Sequence, residues 1–160
     1  MKKIKSVVAG ILCLVAVFAL TGCLNINLNK NSMTASEFKT KMENKGYTIK
    51  DATSQFYQYS YVKQVYLAID PNMTYQIEFY ELATNDDAVS FYNTNKTIFE
   101  GKKGAGSLET TIDLGNYSKY TVTTDETYNV ISRINNTAGY ISVSKDLKDR
   151  INSELKDLGY

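Results

Sequence analysis

Histidine is absent from this 160-residue chain, and cysteine occurs only at positions 13 and 23. Without an imidazole there is no Ser-His-Asp or Cys-His catalysis, no histidine general base and nearly no zinc chemistry. Cys13 lies inside an apolar run and Cys23 just after it, so residues 24–160 carry no thiol. That part of the chain forms no disulfide, no cysteine–metal site and no cysteine nucleophile. Carboxylates, lysine, tyrosine, serine and threonine are left to do any chemistry. Three clusters of them imitate known sites and fall short. The segment from Gly101 to Ser107 is rich in Gly and Lys. A phosphate loop, however, needs Gly-x-x-x-x-Gly-Lys-Ser/Thr between a strand and a helix, and this segment follows a helix, so it reads as a surface loop. Asp70, Asn72 and Thr74 alternate as in a calcium loop, yet no glycine and no closing glutamate stand at the required places. Asp70-Pro71-Asn72 reads as a turn. Asp86 and Asp87 sit at a helix start, where the helix dipole alone favours acids. No catalytic residue, metal ligand or cofactor is nominated.

Tyrosine is the remaining signal, with 13 copies and no tryptophan. Tyr57, Tyr59 and Tyr61 alternate with Gln58 and Ser60, a period of two that puts the three rings on one face of a strand. On a strand, tyrosine is first of all a half-buried structural residue. The same flat ring with a polar tip also suits a peptide, glycan or protein partner. Arg133 is one of two arginines and is read on a strand. There it either pairs with an acid across the sheet or faces a pocket and holds a carboxylate.

The chain opens with Lys2, Lys3 and Lys5, followed by an uncharged apolar run from Val7 to Leu20, then Thr21, Gly22 and Cys23. Fourteen residues are too few to span a hydrocarbon core of ~30 Å, which takes roughly 20 as a helix. The zones are those of a signal peptide. Leu20-Thr21-Gly22-Cys23 resembles the lipobox of bacterial lipoproteins. That resemblance implies that the Cys23 thiol takes a diacylglyceryl group, that the leader (1–22) is cut away before Cys23, and that the protein is held by lipid on the outer face of the cell membrane. Cleavage removes three lysines and leaves 15 basic against 17 acidic side chains. No basic field is then available for nucleic acid or for general attraction to anionic lipid.

Residues 23–33 read as the lipidated cysteine and a polar, asparagine-rich tether, and 34–160 as a single α+β domain. Thr34-Ala-Ser-Glu37 is a capping box with Met33 and Phe38 at staple spacing, giving a helix over 35–45 that Gly46 stops. Residues 47–69 read as β. The strand from Val65 to Ile69, a turn at 70–72 and the alternation of Tyr75, Ile77 and Phe79 make a hairpin. A second helix follows Thr84, with a stripe at Ala88, Phe91, Tyr92, Asn95 and Phe99. Residues 108–143 read as a meander with turns at 124–127 and at Asn135-Asn136 with Gly139. Ser144 then caps a last helix with its stripe at Leu147, Ile151, Leu155 and Leu158.

Segments 61–99 and 120–158 share an order of hairpin, acid-rich cap and amphipathic helix, which raises an internal duplication. Each helix has one apolar stripe. The expected architecture is therefore an antiparallel sheet of about five or six strands with three helices packed mainly on one face. The C-terminal third, with Arg133, Asn136-Thr137, Tyr140–Val143 and Leu158-Gly159-Tyr160, resembles small lipoproteins of Gram-positive bacteria, a family that implies no activity. The functional expectation is a binding or interaction module at the cell envelope, with a protein, peptide or glycan partner, the membrane reached through the lipid and no nucleic acid. A small-ligand carrier is the alternative, and a carboxylate-based enzyme stands behind both.

Overall fold

The computed structural model describes residues 28–160; the leader, Cys23 and the first part of the tether lie outside the described residues. Helix α1 (Ala35–Asn44) begins at the capping box. Glu37 N–H donates to Thr34 Oγ1 at 3.2 Å, and Thr34 N–H donates to Glu37 Oε2 at 2.7 Å. Two orphan helix donors are thereby satisfied. Strand β1 (Thr48–Asp51) follows, then a 3-10 turn (Thr53–Phe56), then the hairpin of β2 (Val62–Ile69) and β3 (Gln76–Leu82). Helix α2 (Asn85–Glu100) starts at Thr84, whose hydroxyl accepts from Asp87 N–H at 3.1 Å. Strands β4 (Leu108–Leu114), β5 (Tyr117–Thr123), β6 (Thr127–Ile134) and β7 (Thr137–Ser144) form a meander, and α3 (Lys148–Leu158) closes the chain. Ser144 makes no capping hydrogen bond. The chain instead enters α3 through a 3-10 turn at Lys145–Leu147. Gly139 lies inside β7, and the turn before it is Asn135-Asn136, with Asn135 at φ 51°.

All pairings are antiparallel, and the order across the sheet is β1-β2-β3-β7-β6-β5-β4. There are seven strands among the described residues, against the expected five or six. Both edge strands are hard to see in sequence: β1 has four residues, and β4 is exposed along nearly all its length. An exposed edge has no buried face, so no apolar alternation marks it.

The helices cover both faces of the sheet, where packing mainly on one was expected: α1 and α3 share one face and α2 takes the other. Phe38 and Met42 of α1 and Ile151, Leu155 and Leu158 of α3 share one core with Ile77, Phe79, Val130 and Ile141. Helix α2 lies on the opposite face, where Ala88 meets Val65 and Leu82, and Tyr92 and Phe99 meet Tyr120, Val122 and Ile131. The cause is in the central strands. Side chains alternate between faces along a strand, and β3 and β6 are apolar on both, as Ile77 and Phe79 against Tyr80 and Leu82 show. A sheet apolar on both sides needs cover on both sides. The same finding removes the duplication. Superposing β2-β3-α2 on β6-β7-α3 would reverse the strand order, the strand direction and the face together. That operation is an inversion, which no rotation of an L-chain supplies.

The segment 28–33 docks on the domain at the turn end of the meander. Lys30 N–H donates to Asn116 Oδ1 at 2.8 Å and its carbonyl accepts from Asn116 Nδ2 at 2.8 Å. Lys30 Nζ reaches Gly159 O at 2.9 Å and lies 3.6 Å from the Tyr117 ring centroid. Gly115, at φ +57°, leaves room for this segment: a Cβ there would stand 2.7 Å from Asn29 Oδ1.

Candidate functional site

The three tyrosines do not lie on a strand. β1 pairs with β2 only as far as Asp51 opposite Tyr66, and β3 ends at Leu82 opposite Val62. The stretch between has one backbone bond to a neighbour, Ala83 N–H donating to Tyr61 O at 2.8 Å, and no ladder along its length. It closes on itself instead, with Tyr59 N–H donating to Phe56 O at 2.8 Å and Val62 N–H to Tyr59 O at 2.9 Å. The resulting loop carries Tyr57 at 87% exposure, Tyr59 at 41% and Tyr61 at 37%. A bulge at Val62/Gln64 then resets the register, so that Val62 and Val65 face the α2 side together.

An aromatic chain runs from this loop into the fold. Tyr61 meets Tyr59 (5.7 Å between centroids), Tyr59 meets Phe56 (6.4 Å), Phe56 meets Tyr80 edge-on (5.5 Å, 89°), and Tyr80 meets Phe91 (4.6 Å). Tyr80 is buried and donates to Glu78 Oε2 at 2.5 Å. Burial, together with the Glu78 charge, pushes its phenol far above the usual tyrosine range. Tyr80 thus stays neutral and serves as a packed base for the rings above it.

Between the loop and α2 lies a groove of about 420 Å³. Phe56, Tyr59, Tyr61, Val62 and Phe91 supply its apolar wall, and Asp87, Ser90, Thr94 and Asn95 its polar side. Asp87, Ser90 and Thr94 recur every three to four positions, with Asn95 beside them, so they occupy one stripe of α2, next to the buried stripe of Ala88, Tyr92 and Phe99. Asp87 Oδ2 accepts from Thr84 Oγ1 at 2.7 Å, and Asn95 Nδ2 is turned back to Phe91 O at 2.8 Å. The hydroxyls of Tyr59, Tyr61, Ser90 and Thr94 have no protein partner among the described residues. The site therefore offers ring faces, free hydroxyls, an amide oxygen and one carboxylate. That set suits a polar ligand with flat apolar patches, such as a sugar ring or an extended peptide.

Arg133 is not part of the groove. It stands on β6, three places from β2 in the sheet, on the α2 face. Its Nη1 donates to Asn116 O at 3.2 Å, while Nε is buried without a partner. Tyr92 on α2 has its hydroxyl buried and equally unpartnered, and burial pushes that phenol up to about 12. Arg133 makes no ion pair among the described residues. Asp113, in the same row of the sheet, is taken by Ser118 Oγ at 2.7 Å.

The other clusters are accounted for by structure. Asp70 Oδ1 accepts from the backbone of Thr74 and Tyr75, and Oδ2 from Asn72. In the loop after α2, Lys103 pairs with Glu109 at 2.9 Å and Lys102 donates to Asn129 Oδ1 at 3.0 Å. No group of three or more potential metal ligands occurs among the described residues. On α2, Ser90 and Thr94 carry no signal of a site in the sequence, Asp87 reads as a helix-start acid, and Phe91 and Asn95, expected in the buried stripe, line the groove instead. The polar periodicity is present, but nothing local distinguishes a groove wall from a solvated helix face.

No protein-family model, curated protein or solved structure matches this chain.

Proposed function

We propose that this chain is a lipid-anchored, extracytoplasmic binding module, held at the cell membrane through Cys23 and engaging a peptide or glycan segment of an envelope partner. The observation that carries the binding reading is the groove between the tyrosine loop and α2, with packed aromatic rings on one side and unpaired hydroxyls on the other. Its wall tyrosines remain 41% and 37% exposed, so the groove is open. Carriers of small solutes bury about 70–90% of the ligand surface, and an open cleft with aromatic rims fits a segment of a larger partner better.

The groove's volume, about 420 Å³, supports a second reading. It falls within the roughly 300–1,000 Å³ of small-molecule pockets, as a carrier would need. The two readings separate in one experiment: capture from an envelope extract on immobilised residues 24–160, with a Tyr59→Ala/Tyr61→Ala variant alongside. The binding-module reading expects a retained protein or glycan and at least about tenfold weaker capture by the variant, since each lost aromatic anchor costs ~1 kcal/mol or more. Recovery of nothing but a co-purified small molecule would overturn it in favour of the carrier.

A further inference from the structure

The connections at the two ends of the sheet differ in charge. At one end lie the connections β1–β2 (52–61), β3–α2 (83–84), β4–β5 (115–116) and β6–β7 (135–136), and none of them holds a charged residue. At the other end, every connection is charged: Lys45, Asp70, Lys102 and Lys103, Asp125 and Glu126, then Lys145 and Asp146. The end with uncharged connections is also where segment 28–33 docks, through Asn116 and Gly159, with Lys30 as the segment's one charge; Asp51, Lys63, Asp86, Asp87 and Asp113 stand on the elements that flank those connections. Leu28, at 53% exposure, and Leu114, at 47%, flank that point, and Tyr57 projects from the same end at 87%.

From Cys23 to Lys30 there are seven residue steps, which reach at most about 25 Å when fully extended. An anchor at Cys23 therefore holds this end close to the bilayer. Phenol rings with apolar bodies and polar tips settle at the headgroup level of a membrane. With 15 basic against 17 acidic side chains in the anchored form, contact has to come from such groups rather than from attraction to anionic lipid. We propose that this end rests on the bilayer surface, with Tyr57 at headgroup level and Leu28 and Leu114 beside the anchor. The groove, at the same end, then opens into the layer of the envelope next to the membrane. This rests on the Cys23 anchor proposed above.

The absence of thiols beyond Cys23 gives a direct test. The lipidated full chain is prepared as Tyr57→Cys, Leu114→Cys and Met73→Cys, each labelled with a thiol-reactive fluorophore. The samples are placed in vesicles of phosphatidylethanolamine and phosphatidylglycerol spin-labelled near the headgroup. Met73 is 82% exposed at the charged end and serves as the reference. Quenching at 57 and 114 at least about twice that at 73 is expected. Equal quenching at all three positions, or more at 73, overturns the orientation while the anchor stands. Uptake of dye by the wild-type chain would mean an unacylated Cys23, and the anchor and the orientation fall together.

Discussion

Asp70 shows how much one residue does in this fold. Its carboxylate is buried at the turn between β2 and β3 and gathers the N–H groups of Asn72, Thr74 and Tyr75. Burial pushes the carboxyl up, but the donations from Tyr75, Thr74 and Asn72 outweigh it and hold the group below its ordinary value of 3.8. A carboxylate lowered on folding stabilises the native state at pH values above its unfolded pKa, and that contribution is lost as pH falls through the folded value. Asp70→Asn is therefore expected to lower the urea midpoint at neutral pH, and the gap from wild type is expected to close below about pH 4. Unfolding curves at pH 7 and pH 3 check this, and a gap that persists or widens in acid would contradict it. The tyrosines illustrate the opposite dependence on context. Tyr80 is buried and hydrogen-bonded, Tyr92 is buried with an orphan hydroxyl, and Tyr57 stands in solvent, although the three residue types are identical. Type and spacing name the candidates, and the neighbours assign their roles.

At the scale of elements, α3 is the most legible piece and α2 the most ambiguous. The stripe at Ile151, Leu155 and Leu158 is buried as the spacing predicts, Leu147 sits half-buried in the 3-10 turn before the helix, and Gly159 ends the helix at φ +89°, a conformation that costs a residue with a Cβ roughly 1–2 kcal/mol. Leu155 is 1% exposed in the core shared with α1. Leu155→Ala is expected to cost about 2–5 kcal/mol by chemical denaturation, and a loss under 1 kcal/mol would mean that the helix packs loosely. The ion pairs of Lys45 with Glu154 and Asp157 (both 2.6 Å) tie α1 to α3 at a half-exposed surface, where such pairs contribute about 0–1 kcal/mol. The apolar stripe therefore dominates this contact. Helix α2 carries two stripes, one buried and one along the groove, and the first conceals the second in any reading by hydrophobic period. The alternation at 57–61 is not a strand for a related reason. Alternation predicts a strand only where a neighbouring strand is available, and β1 and β3 both end before reaching it.

For the molecule as a whole, the proposed anchor sets the behaviour that is simplest to measure. No helix among the described residues is long and apolar enough to cross a membrane. The proposed anchor places retention at Cys23, in the N-terminal segment. Cys23→Ser is expected to move the protein from the membrane fraction to the soluble one, or to stall it as an unprocessed precursor. Immunoblots of fractionated cells decide this, and a variant of mature size still on the membrane would refute lipid attachment. The seven-strand order, with β3 and β7 at the centre, joins the halves of the chain through a non-sequential pairing. That pairing fixes both cores at once. It also brings the tether, the tyrosine loop and the groove to the same end of the sheet.

Sequence by itself determined the local features: the capping box at Thr34 and the N-cap at Thr84, the β2–β3 hairpin, the stripe of α3, and the restriction to chemistry without imidazole or a free thiol. These follow from side-chain type and spacing within a few residues, where hydrogen-bonding groups and apolar periods act directly. Tertiary structure decided the strand count, the placement of helices on both faces, the exposure of Tyr57, Tyr59 and Tyr61, and the partnership of that loop with α2. Each of these depends on which distant strand or helix covers a given face. An apolar period marks a face for burial without naming what buries it, and only the closed sheet supplies the partner.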